Sequence, residues 1–541
     1  MPLIIPMPCH GLHRRPVPNH RMVPMPAAAR ATLPFSAAED AAAELFGSLR
    51  QQLGQVPMAF LDSSDHARSP APHRSRYSIL AFSLGRYAHT ADLAQDAFGW
   101  LAENWKYDAA APPQVPPGTE QSQPAFQLGW VGWIGYEEQA RLFRATHAVV
   151  IDHHSHTADV QWLAGDPQAE GLDWVERVRA AVEALRPAPA LVSDAPGRPV
   201  PRLEQFSLRD ARGAYLSKVR QAQRQIYEGN SYEVCLTTAV SGRLRGCPWE
   251  VYLRLRQHNR APFTQFIEFP PRPASPAEAI LSTSPERFAS ISAAGTIRSE
   301  PIKGTRPRGS TPETDAAQLA DLYRHPKDRA ENVMIADLVR NDLSIHAVPG
   351  SLRTERLCAV ESYPTVHQLV STISAQLPPR VSRARALADA FPPGSMTGAP
   401  KISTMEILRR LETGPRGAYS GAAGWFSSTG ACDLAVLIRT AVLTEVPSPG
   451  APVPAALPAS SAPPALPGLV AESAEDRPQT QHSLGMTEGK RFGGEAPAWD
   501  FHLGLGGAIT ADSDPEAEWQ EIVTKSRGVL GALKAVFPHQ D

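Results

Sequence analysis

Apolar positions along this chain recur in two rhythms. Ala211, Tyr215, Val219, Ala222 and Ile226 return every three to four residues, which places them on one helical stripe and predicts a helix over 207–228. Helices are also expected over 36–52, where Ser36 and Glu39 have capping-box spacing, and over 172–185, 248–257 and 402–411. Short runs rich in β-branched and aromatic residues predict strands over 56–61, 76–82, 126–136, 147–151, 158–163, 231–239, 264–269, 279–284, 434–444 and 501–510. Strands outnumber helices and do not alternate regularly with them. The pattern therefore predicts an α+β fold with antiparallel sheets rather than a doubly wound parallel sheet.

Other stretches interrupt both rhythms. Residues 108–124 read as a Pro/Gly/Gln-rich loop and 187–201 as a proline-rich linker. Residues 446–500 are rich in Pro, Ala, Ser and Glu and have no periodic apolar face, so burial there cannot offset the entropy of ordering. Lying between two predicted strands, that segment is expected to be a disordered insert in an overgrown hairpin loop. Residues 1–35 carry several arginines and many prolines but no acidic residue, and read as a disordered leader or a remnant of a longer fused protein.

Composition narrows the function. Lys and Arg (53) nearly balance Asp and Glu (55) over 541 residues, which argues against a nucleic-acid or membrane-surface role. No apolar run approaches the roughly 20 residues that span a bilayer. The cysteines are scattered without a CxxC pair, as expected of a reduced, cytoplasmic protein.

Candidate chemistry centres on residues 301–309. Pro301 and Pro307 stiffen the ends, and Gly304 would let a ligand approach the main chain. Arg306 and Arg308 are expected to disfavour protonation of Lys303 and so expose a nucleophilic amine. The alternative is a basic surface turn. Glu331 opens a helix over 333–342 that is apolar almost all round. It either complements the helix dipole or faces a site and binds a cation. After Ser513-Asp514-Pro515, a helix N-terminus, Glu518, Glu521 and Lys525 share one side at the edge of an apolar face. Oxygen-only acids suit Mg²⁺, and no His/Cys spacing suggests zinc; a solvated acidic helix start is the alternative. The glycine-rich stretches 393–401 and 504–508 offer main-chain N–H groups, but neither is a nucleotide-binding fingerprint.

Taken together, SYEVCLTT, SPERF, PIKGTRPRG, DRAENVMIADLVRNDL, PPGSMTGAPKISTMEIL, RGAYSGAAGWF, LAVLIRT and GAITADSDPEAEWQE resemble the chorismate-utilising enzymes in order across about residues 231–530. The resemblance implies a large sandwich of two antiparallel β-sheets surrounded by helices. Residues 36–200 would form its N-terminal subdomain and 201–541 the chorismate-binding catalytic domain, interrupted at 446–500. It further implies that Glu331 and Glu521, with Glu518 beside them, hold Mg²⁺ against the ring carboxylate of chorismate. Gly304, Thr305, Tyr419, Arg439, Gly506 and Gly507 match the substrate pocket, Arg439 suiting the enolpyruvyl carboxylate. His367 and Ser395 match polar pocket positions, and Lys525 a carboxylate contact.

Lys303 stands where anthranilate-forming members carry alanine. The resemblance therefore implies the branch that aminates chorismate at C4 with ammonia, on the way to p-aminobenzoate and folate. Lys303 would act as covalent nucleophile, and Glu286 as an acid/base whose pKa burial raises. Isochorismate- and salicylate-forming members use a lysine at the position of Glu233 here. Ala508 replaces the third glycine of a usual triplet. No cysteine elbow of a glutaminase is present, so the chain is expected to use free ammonia, a separate glutamine amidotransferase subunit, or a missing fused domain. The alternatives are an anthranilate-forming component and a catalytically silent chorismate- or glutaminase-binding subunit.

Overall fold

The computed structural model describes residues 28–36, 38–71, 74–107, 125–163, 168–185, 201–273, 275–446 and 497–538. Two antiparallel sheets, of twelve and ten strands among the described residues, organise the chain. Both are built on alternation. In the strand Met58–Asp62, Met58 and Phe60 face one core, while Ala59 and Leu61 face another. The second core lies between the sheets, where Ile79, Val150, Ile267 and Ile280 of one meet Val131, Trp133, Phe143 and Ala423 of the other. The outer face of the first sheet is covered by helices including Ala41–Leu53, Pro248–His258 and Pro515–Leu530. That of the second is covered by Ala97–Asn104, Pro326–Ser344 and Arg383–Ala390. The layers run helix, sheet, sheet, helix, as the α+β sandwich expectation requires.

Early and late parts of the chain are sewn together. Met58–Asp62 pairs with Phe263–Phe269, and Gly129–Ile134 pairs with Ala422–Ser427. The segments 36–200 and 201–541 therefore share both sheets. The centre of the first sheet runs Phe263–Phe269, Glu278–Ser284, Thr440–Glu445, Ala498–Ile509, Glu233–Arg245. Thr440–Glu445 and Ala498–Ile509 are antiparallel neighbours, with Glu445 opposite Trp499, so the expected hairpin around the long insert is present. Its second strand begins at Ala498, inside the range assigned to the insert.

Other boundaries differ from expectation. The leader assigned to 1–35 contains a strand, Ala28–Pro34, which pairs along its full length with Thr157–Leu163. Main-chain pairing there needs no apolar pattern of its own. The helix expected from 207 begins at Arg212, after a strand Arg202–Leu208. The helix bearing Glu331 is not apolar all round. Ile335, Ala336, Val339 and Leu343 are buried, whereas Val333 is exposed. The single strand expected over 434–444 is two: Cys432–Val436 lies in the second sheet and Thr440–Glu445 in the first. The chain changes sheets through Arg439, whose φ is 51°. Residues 1–27, the loop 108–124, the linker residues 186–200 and insert residues 447–496 lie outside the described residues.

Candidate active site

Lys303 lies on Ile302–Pro307, an end strand of the second sheet whose pairing with Val366–Gln376 is irregular between Ile302 and Thr305. Its Nζ donates to Glu233 Oε1 at 2.5 Å. Glu233 begins a strand of the other sheet and is 0% exposed. Burial pulls the Lys303 pKa down. The Glu233 carboxylate, helped by Cys235 and Glu331, outweighs this and holds the ammonium well above its ordinary value. The expected lowering by neighbouring cations is therefore reversed. Arg306 bonds to Asp321 at 2.6 Å and Asp328 at 2.7 Å, and Arg308 grips Asp315 with two bonds of 2.7 Å. Both arginines spend their charge on those carboxylates, not on Lys303.

Gly304 also has a packing role that its sequence context does not reveal. Its φ is +88°, and a Cβ there would fall 3.0 Å from Asp328 Cβ and 3.1 Å from Leu322 Cδ1. Its bareness lets two helices dock on the strand. Thr305 is exposed. His367 is buried with both ring nitrogens engaged, Nδ1 with Ser362 Oγ at 2.7 Å and Nε2 with Asp315 Oδ1 at 3.0 Å, which leaves neither for a pocket ligand.

Glu286 has the raised pKa expected of burial. Burial pushes its carboxyl up to about 7; the Ser395 hydroxyl, the Lys303 ammonium, the Ile302 N–H and the Lys525 ammonium pull against this without overcoming it. Glu286 and Ser395 line one cavity with Pro301, Val339, Asp342 and Pro393. Arg439, at the sheet-changing segment, has no side-chain partner among the described residues, and burial alone lowers its pKa. An unpaired guanidinium in such surroundings is costly until an anion meets it. Tyr419 packs against the last long strand: a Cβ on Gly504 would lie 2.1 Å from its ring, and one on Gly506 would lie 3.1 Å from its hydroxyl. A Cβ on Gly507 would meet only Glu518 Oε2, at 3.1 Å.

The three acids expected to hold a cation come from two helices. Glu331 sits on Pro326–Ser344, in its second turn rather than its first. Glu518 and Glu521 sit on Pro515–Leu530, whose N-cap is Asp514, as the sequence pattern requires. Among the described residues no group of three acids, histidines or cysteines already stands together as a metal cage. Their chemistry still fits a hard cation. Glu518 Oε1 accepts from Ser513 Oγ at 2.6 Å, while its Oε2 is buried without a partner and faces Gly507. Burial raises Glu331 to about 7, and the neighbouring Glu233 and Asp328 carboxylates add to it; burial and Glu521 raise Glu518. Lysines supply counter-charge: Lys327 lies 3.8 Å from Glu331 and also acts on Glu518 and Glu521. Lys525 bonds to Glu521 at 2.6 Å and to Gly506 O at 2.8 Å. In this structure Lys525 thus faces a protein carboxylate.

Two contributors escaped the sequence reading. In the sequence Glu233 stands out only as a position where isochorismate- and salicylate-forming members carry lysine. Arg416 is fully buried, bonded to Glu412, Met396 O, Cys235 O and Ser420 Oγ, and lies over the Tyr136 ring at 4.1 Å. It ties the Ser395 loop to the residue after Tyr419. A buried charge inside an otherwise apolar motif is the only sequence signal either residue offers.

The fold is thus a two-sheet α+β sandwich that brings the ion-paired Lys303 amine near the proton-holding Glu286 carboxyl and carries, at Arg439, a guanidinium with no side-chain partner among the described residues. Residues 57–447 match the model of the chorismate binding enzyme family, and the chain belongs to that family. It is 39% identical over 436 residues to an aminodeoxychorismate synthase of Streptomyces griseus, covering 77% of this chain and 52% of that protein. It is 35% identical to aminodeoxychorismate synthase component 1 of Klebsiella aerogenes, covering 72% and 69% of the two chains. The chain therefore spans about half the length of the Streptomyces griseus relative. Its fold is similar to that of anthranilate synthase component I from Streptococcus pneumoniae TIGR4, with TM-score 0.61, 23% identity, and 84% and 92% of the chains covered. Among the described residues no helix is long and apolar enough to cross a membrane.

Proposed function

We propose that this chain converts chorismate and ammonia to 4-amino-4-deoxychorismate and water. The observation that carries the reading is the Lys303–Glu233 contact of 2.5 Å in the field of a carboxyl, Glu286, that holds its proton to about pH 7. Lys303 enters the reaction as an ammonium, so its proton must leave before attack, and Glu233 is the base within reach. The free amine then bonds to C2 of the ring, the double bonds shift, and the C4–O bond breaks as Glu286 gives its proton to the departing hydroxyl. Ammonia adds at C4, the C2–N bond breaks, and the amine of Lys303 is released. Protonated Glu286 is thus the reactive form in the first half and its carboxylate in the second.

Arg439 would meet the enolpyruvyl carboxylate, which supplies the counter-charge its guanidinium lacks. Tyr419 and the bare main chain at Gly506 and Gly507 would flank the ring. Glu331, Glu518 and Glu521 would hold Mg²⁺, which supplies positive charge to the ring carboxylate. Similarity to a protein named component 1 supports a glutamine amidotransferase partner as the source of ammonia.

The test is to incubate purified protein with chorismate, Mg²⁺ and ammonium and to identify the product. 4-Amino-4-deoxychorismate is expected. Anthranilate with pyruvate would assign the chain to the other amination branch, and no turnover would leave it a silent binding subunit.

A further inference from the structure

Glu286 and Lys303 lie on different segments, and a carboxylate outside the reaction keeps those segments in register. Glu300 stands opposite Arg287 in the pairing of Thr296–Glu300 with Arg287–Ile291. Arg287 directly follows Glu286, and only Pro301 and Ile302 separate Glu300 from Lys303. Arg287 Nη1 donates to Glu300 Oε2 at 2.5 Å, and its Nε and Nη2 hold Asp433 at 2.8 Å each. The second guanidinium on Glu300 comes from far upstream. Arg74 donates to it through Nε at 3.0 Å and Nη2 at 2.7 Å, a two-pronged grip. The same side chain reaches Glu361 at 2.6 and 3.1 Å and the Tyr363 hydroxyl at 3.1 Å. Water is shut out: Arg74, Glu300 and Glu361 are 2%, 3% and 4% exposed.

We propose that Arg74 is a positioning residue for the two reacting groups, fixing through Glu300 the placement of Lys303 relative to Glu286. The inference rests on the amination reading above. Without Arg74, Glu300 is a buried carboxylate that has lost the two-pronged grip of one guanidinium and keeps the bond from Arg287, which favours a shift toward Arg287 or uptake of a proton. Pro301, with its fixed φ, passes a shift on to Ile302 and Lys303. Ile302 matters directly, because its N–H is among the groups that pull the Glu286 carboxyl down. The other groups facing Glu286 are Lys303, Lys525 and the Ser395 hydroxyl, with Arg287 and Asp342 on the same cavity wall. Replacing Arg74 removes none of them, so a change in how Glu286 titrates reports a change in geometry.

The experiment compares wild type, Arg74→Met, Arg74→Lys and Glu300→Gln in ammonium-dependent turnover, well below each variant's Tm. For Arg74→Met and Glu300→Gln the expected result is a kcat lower by about tenfold or more, with the chorismate KM nearly unchanged. As the Ile302 N–H drifts off Glu286, the limb on which turnover falls with rising pH should move to higher pH. Arg74→Lys should lie between these variants and wild type. Wild-type kcat and pH profile, or a loss that only tracks the folded fraction, would overturn the inference. Should Arg74→Met fail to fold, Arg74→Lys and Glu300→Gln decide on the same readouts. An inert wild type would overturn the amination reading and the inference with it.

Discussion

Glu286 holds its proton at the expense of stability. Its carboxyl titrates near 7 in the folded protein, against 4.5 when solvated. A displacement of that size corresponds to about 3 kcal/mol. The folded state binds the proton more tightly than the unfolded chain, so the favourable contribution is complete below about pH 4.5 and is lost as pH rises through about 7. Glu286→Gln is therefore expected to abolish turnover and raise Tm relative to wild type at pH 8, with the difference shrinking toward pH 5; thermal melts at both pH values check this. Arg439 makes the opposite test. Its guanidinium has no side-chain partner to lose among the described residues, so Arg439→Met should leave Tm level or higher while raising the chorismate KM by about 10- to 100-fold, as for a charge-assisted contact of roughly 1.5–3 kcal/mol. A lowered Tm with unchanged KM would remove Arg439 from the substrate site. The positions of Lys303, Glu286 and Arg439 were legible as motifs. The charge state of Lys303 was not: Arg306 and Arg308 are near it in sequence, but their ion pairs with Asp321, Asp328 and Asp315 cannot be read from one strand.

Elements carry the next set of constraints. Ile302–Pro307 receives the helices Pro312–Arg324 and Pro326–Ser344 over Gly304. Gly304→Ala must place a methyl at φ +88° and press on Asp328. A loss of about 1–2 kcal/mol is expected from the backbone alone, measurable by urea unfolding, and an unchanged midpoint would contradict the packing role. Periodicity located most elements but missed two breaks. The strand predicted over 434–444 carries its apolar run across Leu437 and Ile438 without a glycine or proline, so nothing local marks the change of sheet at Arg439. The strand Arg202–Leu208 matches no expected element: the helix expected over 207–228 takes in only Ser207 and Leu208, and residues 202–206 lie between it and the expected linker.

At the level of the whole molecule, antiparallel pairing across distant segments makes the two sheets cooperative. Expressed alone, residues 201–541 would leave Phe263–Phe269 without Met58–Asp62 and Ala422–Ser427 without Gly129–Ile134. Open edges and an uncovered inter-sheet core predict aggregation; a monomeric, cooperatively melting fragment by size-exclusion chromatography and calorimetry would refute that cooperativity. The α+β sandwich was legible from strand count and irregular order. The interleaving was not, because a strand's own sequence does not name its partner.

Glu445 and Trp499 sit side by side in the ladder, whatever the span of sequence that connects them. The sheet asks only that these two ends meet, so selection on folding places little restraint on how long the connection is or what it is made of. That makes the hairpin tip a natural place for lineages to diverge in length, and for an experimenter to splice in a tag or a tethered partner without disturbing the chemistry beneath.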